Sequence, residues 1–186
     1  MKKNIKFIFM LIALLYFNSN VTISSGNNIP KKNQYDYKYW KTISIYSSLS
    51  LKIPSMLTVN KIYKNNSYDN TRKKIIFESK IWLKGYFINV RKIKDTIDDF
   101  INYDLKDLKK DMEFFQANFN YKFLYFKNKK VCFKELKYPQ DSLKIYALVV
   151  SHKDYVYDIH IKLTNKNYSK KEESIAKQIL FSFEFK

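Results

Sequence analysis

The side chains from Lys153 to Thr164 alternate strictly between two sets, and this regularity leaves few folds open to the chain. One set is aromatic or aliphatic and comprises Tyr155, Tyr157, Ile159, Ile161 and Leu163; the other is mostly polar and comprises Asp154, Val156, Asp158, His160, Lys162 and Thr164. A period of two with β-branched and aromatic residues is typical of a half-buried antiparallel strand. The apolar run over residues 143–150 predicts a preceding strand covered on both faces, and the link over 151–154 is short enough for a hairpin.

The pattern changes from strand to helix after Asn165. Ser169 and Glu172 match a capping box, in which the serine hydroxyl accepts from the third backbone N–H and the glutamate reaches back. An apolar stripe at helical spacing follows, formed by Ile175, Ala176, Ile179 and Leu180. The aromatic residues Phe181, Phe183 and Phe185 then alternate with polar ones, which predicts a short final strand.

The first half of the domain is predicted to be rich in strands. Alternating apolar residues indicate a strand over residues 42–53 that ends at Pro54, with Ser47-Ser48 marking an irregularity within it. They also indicate a short strand over 57–63 and two more strands over 74–83 and 86–93. Asn65–Arg72 is polar and is predicted to be a loop. Gly85 lies between the last two strands, where it is expected to supply a positive φ in the turn.

The clearest long helix is predicted over Asp95–Phe115. Its apolar stripe recurs every three or four residues and comprises Ile97, Ile101, Leu105, Leu108, Met112 and Phe115. Asp95 or Thr96 is the expected N-cap, and Asp98 and Asp99 suit the positive N-terminal end of the helix. Charged residues lie mainly outside the stripe and are interpreted as a solvated face, with a coiled-coil or partner surface as the alternative: Asp104, Lys106, Asp107, Lys109 and Lys110.

The remaining elements complete an α+β fold. Residues 121–126 and 130–136 are predicted to form a hairpin around Lys127-Asn128-Lys129. Strands in runs, with only two principal helices among them, favour a mainly antiparallel β-sheet covered by those helices. A length of 186 residues allows one ordinary domain, which we assign to residues 42–186.

The first 25 residues have the pattern of a secretory signal. Lys2, Lys3 and Lys6 precede an unbroken apolar run from Phe7 to Phe17, and small residues follow it where a peptidase could cut. The run is too short for a comfortable transmembrane helix, which needs about 20 residues. Residues 1–25 are therefore predicted to be a signal peptide or signal-anchor, and residues 26–41 a polar leader. The alternative is a buried N-terminal helix; with a signal, the domain is exported.

The strong positive charge has two interpretations. Lys and Arg number 35 against 17 Asp and Glu, giving a formal charge of +18. A basic patch would suit nucleic acid, an anionic membrane or an acidic cell-envelope polymer. The favoured interpretation is compositional bias, because the lysines are scattered and Arg72 and Arg91 are the only arginines. Export makes nucleic acid an unlikely partner and an anionic surface the stronger alternative.

No residue pattern in the sequence indicates catalysis, so we predict no catalytic, cofactor-binding or metal-ligating residues and no cofactor. Glycine-rich phosphate loops, nucleophile elbows and paired histidines at metal-ligand spacing are absent from the sequence. His160 lies two residues from Asp158 and could be oriented by it or join it in a weak metal site, whereas His152 falls in a predicted turn. Asp98-Asp99 and Glu172-Glu173 are explained by capping, and Cys132, the only cysteine, is predicted to be buried.

One hairpin carries the best candidate for a nucleic-acid surface. It runs from Tyr121 to Lys130 and combines two tyrosines with four lysines: Tyr121, Tyr125, Lys122, Lys127, Lys129 and Lys130. Aromatic side chains beside cations can bind single strands by stacking. In a β-rich chain with only two glycines, however, aromatic residues mostly build the core.

The layout of the chain resembles the PsbP-like superfamily, which includes an accessory protein of the oxygen-evolving complex and many exported bacterial proteins. The resemblance rests on an early strand running into proline (Leu49–Ser55), a long middle helix, a strand pair (Lys144–Leu148 and Tyr155–Ile159), and a closing helix that runs into Ser-Phe (Ala176–Phe183). It implies an α/β/α sandwich over roughly residues 42–185. It also implies a non-enzymatic binding, assembly or adaptor module, with no universal site residues to carry over.

The functional expectation is therefore an exported, non-enzymatic domain that binds or helps to assemble a protein partner. Two alternatives stay open. One is a basic module associated with an anionic membrane or cell-envelope polymer, and the other is a small enzyme whose site has no recognisable motif.

Overall fold

A computed structural model describes residues 39–115, 117–138, 143–165 and 167–186. The expected signal at 1–25 and nearly all of the leader at 26–41 lie outside the described residues. The strands are β1 (Trp40–Tyr46), β2 (Leu49–Pro54), β3 (Val59–Asp69), β4 (Lys74–Leu83), β5 (Tyr86–Lys94), β6 (Asn118–Phe126), β7 (Lys129–Tyr138), β8 (Leu143–His152), β9 (Tyr155–Leu163) and β10 (Glu184–Phe185). The helices are α1 (Ile97–Phe115) and α2 (Lys170–Phe181).

The strands form two antiparallel sheets. The large sheet has seven strands in the order β3-β4-β5-β9-β8-β7-β6, and the small one has three in the order β1-β2-β10. Neighbouring strands pair antiparallel throughout both sheets. The predicted α+β class, a mainly antiparallel sheet with two principal helices, is confirmed.

The two helices lie on opposite faces of the large sheet. One face packs against the small sheet and α2 in a large core that includes Leu51, Ile159 and Ile179, each fully buried. The other face packs against α1 in a smaller core that includes Phe100 and Cys132. Because α1 crosses only part of its face, the polar residues of β4, β5 and β9 beside it border an open cleft.

Several local predictions are confirmed by the structure. Gly85 has a φ of +83° in the β4–β5 turn. Lys127 and Asn128 take positive φ values of 49° and 58° in the tight β6–β7 turn. Ser169 and Glu172 form the predicted capping box at the start of α2. Cys132 is fully buried.

Three strand predictions were wrong. The strand predicted over 42–53 is two strands, β1 and β2, which turn back on each other at Ser47-Ser48. The loop predicted over Asn65–Arg72 is mostly strand, because β3 continues to Asp69. An edge strand that is exposed on both faces does not need alternating apolar residues. The polar sequence of this part of β3 therefore gave no sign of a strand. β9 was predicted to be half-buried, but Val156 and Asp158 on its polar side are buried beneath α1.

Among the described helices, none combines the length and the apolar character that crossing a membrane requires.

Candidate functional site

Four charged side chains meet beneath α1 and form what we call the charged centre: Arg91, Asp104, Lys134 and Asp158. Arg91 and Asp158 are register partners on the neighbouring strands β5 and β9, while Lys134 comes from β7 and Asp104 from α1. Asp158 is 0% exposed and Lys134 is 1% exposed. Burial this deep is rare for charged residues unless they are paired.

The charged centre is held by short polar contacts. Arg91 Nε donates to Asp158 Oδ2 at 3.0 Å, and a second nitrogen of the same guanidinium contacts that oxygen. Lys134 Nζ donates to Asp104 Oδ2 at 2.8 Å and to Asp158 Oδ1 at 3.2 Å. Two cations thus face two carboxylates, and the charge is balanced inside the protein.

The mutual attraction keeps Asp158, Lys134 and Arg91 ionised. Burial alone would raise the pKa of the Asp158 carboxyl, but His160, Lys134 and Arg91 hold it well below its usual range. Burial would lower the pKa of Lys134, yet Asp158 and Asp104 raise it above its ordinary value. Burial would likewise lower the pKa of Arg91, and the same two carboxylates raise it instead. The ion pairs therefore persist over a wide pH range.

This balance predicts how stability depends on pH. A carboxyl with a depressed folded-state pKa adds stability above its unfolded value, about 3.9, and that stability is lost as the pH falls through the folded-state pKa. The free energy of unfolding should therefore fall in acid, and the difference between wild type and Asp158→Asn should shrink below about pH 4. Urea unfolding at a series of pH values measures both. A difference that stays constant from about pH 7 to about pH 2 would contradict the assignment.

A cleft of about 330 Å³ opens beside the charged centre. Its polar lining comes mainly from Arg72, Glu78, Asn89, Arg91, Asp107 and His160, and its apolar lining includes Leu108, Leu136 and Ile145. Glu78 accepts from Asn89 Nδ2 at 2.9 Å and contacts Lys80 Nζ at 2.8 Å. The volume of the cleft lies near the lower limit for ligand pockets, and its mixed polar and apolar lining also suits a small ligand.

The pair suspected from sequence, Asp158 and His160, is brought together at this cleft. His160 Nε2 lies 2.8 Å from Asp158 Oδ2, and the His160 side chain is 24% exposed. The weak metal site does not follow, because the described ranges hold no group of three or more His, Cys, Asp or Glu residues able to bind a metal. His152 lies elsewhere and stacks on Phe185, with ring centroids 4.3 Å apart.

Two predictions about acidic residues were incomplete or wrong. Asp104 was assigned to a solvated helix face, but it is 7% exposed and bonded to Lys134. It lies one turn after Phe100 and one turn before Leu108, both buried, so its spacing could have revealed its position. Glu173 does more than suit the helix N-terminus, since it accepts from Tyr146 Oη at 2.8 Å and pairs with Lys144.

The Tyr121–Lys130 hairpin divides its cations and rings between packing contacts and the surface. Lys127 Nζ donates to the carbonyl of Phe183 at 2.6 Å, and Lys130 Nζ contacts Asp98 at 3.3 Å. The Tyr121 side chain turns into the α1 core, whereas Tyr125 is 72% exposed. Phe123 is 43% exposed and has Lys130 Nζ 4.8 Å from its ring centroid, so rings and a cation also lie at the surface of this hairpin.

A second surface feature is the ribbon formed by β3 and β4. β3 is an edge strand that pairs only with β4 in the part of the chain that the structure describes. Nine of its eleven residues are exposed. Several large apolar or aromatic side chains of the ribbon are exposed: Ile62, Tyr63, Tyr68, Ile75, Phe77 and Trp82. The sequence predicted a strand over the first part of β3, up to Tyr63, and a loop from Asn65, so the length of this surface was not predicted.

Comparison with known proteins assigns no family to the chain. No family model matches it, and no curated protein matches it significantly. Among solved structures, a Bacteroides thetaiotaomicron protein is 12% identical with a TM-score of 0.43, and its match covers 80% of this chain. The chain spans 49% of that protein's length. A Pseudomonas aeruginosa protein of unknown function is 10% identical with a TM-score of 0.38, over 77% of this chain and 95% of its own. Likenesses this weak carry no argument about function.

Proposed function

We propose that the chain is an exported, non-enzymatic binding domain whose β3 edge pairs with an extended strand of a protein partner. The observation that carries the proposal is the length and openness of β3, an eleven-residue edge strand with exposed apolar neighbours. An edge strand presents a row of open backbone N–H and C=O groups, which is a template for strand addition. Soluble proteins usually shorten, cover or charge such edges. β3 carries two lysines, but it is long, and among the described residues it pairs on one side only.

The charge of β3 indicates the chemistry of the partner strand. Lys61 and Lys64 are exposed on the edge, and Asp69 is the only acidic residue of the strand. Lys61 and Tyr63 lie on one face of β3, and Ile62 and Lys64 lie on the other. A partner strand that alternates apolar and acidic residues would place its carboxylates on the face of one lysine and its apolar side chains on the opposite face.

A second copy of the chain fits this edge poorly. Antiparallel pairing of β3 with itself about its middle residue would place Lys64 opposite Lys64 of the other copy. Like charges directly opposite each other destabilise a strand pair. A hetero-partner is therefore the occupant that we propose.

The charged centre supports a non-enzymatic role. Asp158 is shared among Arg91, Lys134 and His160, so buried cations already neutralise the carboxylate that orients the imidazole. Cys132 is not a plausible nucleophile, because burial raises the pKa of its thiol to about 12. These groups stabilise the fold.

Export and the PsbP-like architecture belong to the same proposal. Export rests on the lysine-led apolar run at 7–17. The PsbP-like architecture is supported by the two helices on opposite faces of an antiparallel sheet and by a closing helix that leads into Ser182-Phe183. The family resemblance implies binding or assembly, which agrees with an open sheet edge.

Synthetic strands can test the proposal, because strand addition depends on backbone pairing and charge more than on one particular partner sequence. We expect a ten-residue peptide alternating valine and glutamate to bind, and its valine–lysine counterpart to bind at least about tenfold more weakly. Lys61→Glu with Lys64→Glu should reverse that preference. Lys170→Glu with Lys171→Glu, exposed at the start of α2, is the matched control and should leave it unchanged.

Two results would contradict strand addition at β3. One is equal binding of the glutamate and lysine peptides to the wild-type chain. The other is tight, steeply salt-dependent binding to vesicles with anionic headgroups but not to either peptide, which would favour the basic surface module instead.

A further inference from the structure

We propose that the cleft beside the charged centre binds a small zwitterion of the α-amino acid class, with Arg72 receiving its carboxylate and Asp107 its ammonium group. The site adjoins the end of β3, where Asp69 contacts Arg72, but its test does not depend on a protein partner.

The Arg72 guanidinium is buried but poorly satisfied. Its side chain is 6% exposed, and its Nη1 atom is buried without a hydrogen-bond partner among the described residues. Its nearest carboxylate oxygens are at 3.5 Å, from Asp69, and at 3.8 Å, from Asp107. Both separations exceed ordinary N–H···O distances of about 2.7–3.2 Å. Asp69 is already occupied, since its other oxygen accepts the backbone N–H groups of the turn.

The orientation of Arg72 is fixed by aromatic rings. The guanidinium carbon lies 4.8 Å from the centroid of Phe100 and 5.4 Å from that of Tyr103. A planar fork held in this way is suited to bidentate recognition of a carboxylate. A buried donor without an acceptor costs free energy, which a bound ligand would recover.

The charges around the cleft argue against a simple anion. Three carboxylates near the cleft each have a cationic partner: Asp104 pairs with Lys134, Glu78 with Lys80, and Asp158 with Arg91. Arg72 faces both Asp69 and Asp107, and Lys110 Nζ lies 3.6 Å from Asp107 Oδ1, so two cations and two carboxylates balance at this corner. Asp107 Oδ2 is 3.8 Å from Arg72 Nη2, and this carboxylate is 65% exposed. A ligand of zero net charge, with both an ammonium group and a carboxylate, keeps this balance, whereas a simple anion would add an unmatched negative charge.

The rest of the cleft fits the side chain of such a ligand. Leu108, Leu136 and Ile145 supply an apolar wall. Asn89 Oδ1 is a buried acceptor without a partner in the described part of the chain. Its amide orientation is fixed because Nδ2 donates to Glu78. A side chain with an apolar stem and a polar N–H end, as in glutamine, satisfies both features.

The test uses L-glutamine and L-leucine as probes on the full chain, with binding followed by NMR shifts and thermal unfolding. Two analogues of leucine, which we call half-molecules, each carry one of its two charges. 4-Methylpentanoate lacks the ammonium group, and 3-methylbutylamine lacks the carboxylate. We expect saturable binding of the amino acids, and at least about tenfold weaker binding of either half-molecule. Failure of both amino acids to bind, or equal binding of a half-molecule, would overturn the proposal.

Three variants assign the site. Arg72→Gln should abolish amino acid binding, whereas Lys73→Gln, which removes an exposed charge from the adjacent position, should not. Asp107→Asn should weaken binding at least about tenfold and should fold normally, because Asp107 is largely exposed. Undiminished amino acid binding in a folded Asp107→Asn protein would overturn the assignment, whatever Arg72→Gln does to folding.

Discussion

Replacing Asp158 with asparagine is expected to lower the free energy of unfolding by about 3–5 kcal/mol. The change leaves Arg91 and Lys134 beneath α1 with Asp104 as the one remaining carboxylate of the charged centre. Breaking a buried ion pair is costly because the remaining partner stays desolvated without compensation. The expected loss is a large part of the stability of an ordinary domain.

Urea unfolding followed by circular dichroism measures this effect. Asp154→Asn is the matched control, because Asp154 lies exposed in the turn before β9 and its replacement should change stability by less than about 0.5 kcal/mol. A loss below about 1 kcal/mol for Asp158→Asn would mean that the charged centre is better hydrated than its burial indicates.

Replacing Phe100 with alanine is expected to cost about 3–5 kcal/mol. Phe100 is fully buried in the α1 core, and its ring contacts the Arg72 and Arg91 guanidinium groups and the Lys134 ammonium group. The change removes apolar packing and the cation–π contacts together.

The same helix supplies the control for this change. Phe114 is 84% exposed, so Phe114→Ala should alter the free energy of unfolding by less than about 0.5 kcal/mol. Equal losses for the two variants, measured by urea unfolding, would show that α1 does not pack on the sheet through Phe100.

Sequence periodicity predicted the helices and strands that have one buried side and one exposed side. β4 was predicted at its observed bounds and α1 to within two residues at its start, because each buries one side and exposes the other. The second half of β3, from Asn65, was missed because periodicity reports burial, and an edge strand exposed on both faces buries neither. Its pairing with β4 is a backbone property that side-chain patterns do not record.

The charged centre was harder to predict because its members are far apart in the chain. Lys134 lies between Cys132 and Leu136 on one face of β7. This position indicates that Lys134 is buried, but it does not identify the residue that pairs with it. The partner depends on strand order: the sheet places β7 two strands from β9, and α1 crosses above them. The pair Asp158 and His160 could be predicted from the sequence because its members are close in the chain. Two residues that are two positions apart on a strand lie on the same face and are neighbours.

Hydrogen exchange along β3, with and without the valine–glutamate peptide, tests the proposed docking edge most directly. We expect added peptide to slow exchange of the β3 amides and to leave unaffected the amides of β6, the opposite edge of the large sheet. Protection of β6 instead of β3, or of neither strand at saturating peptide, would contradict the claim that β3 is the surface through which this domain binds.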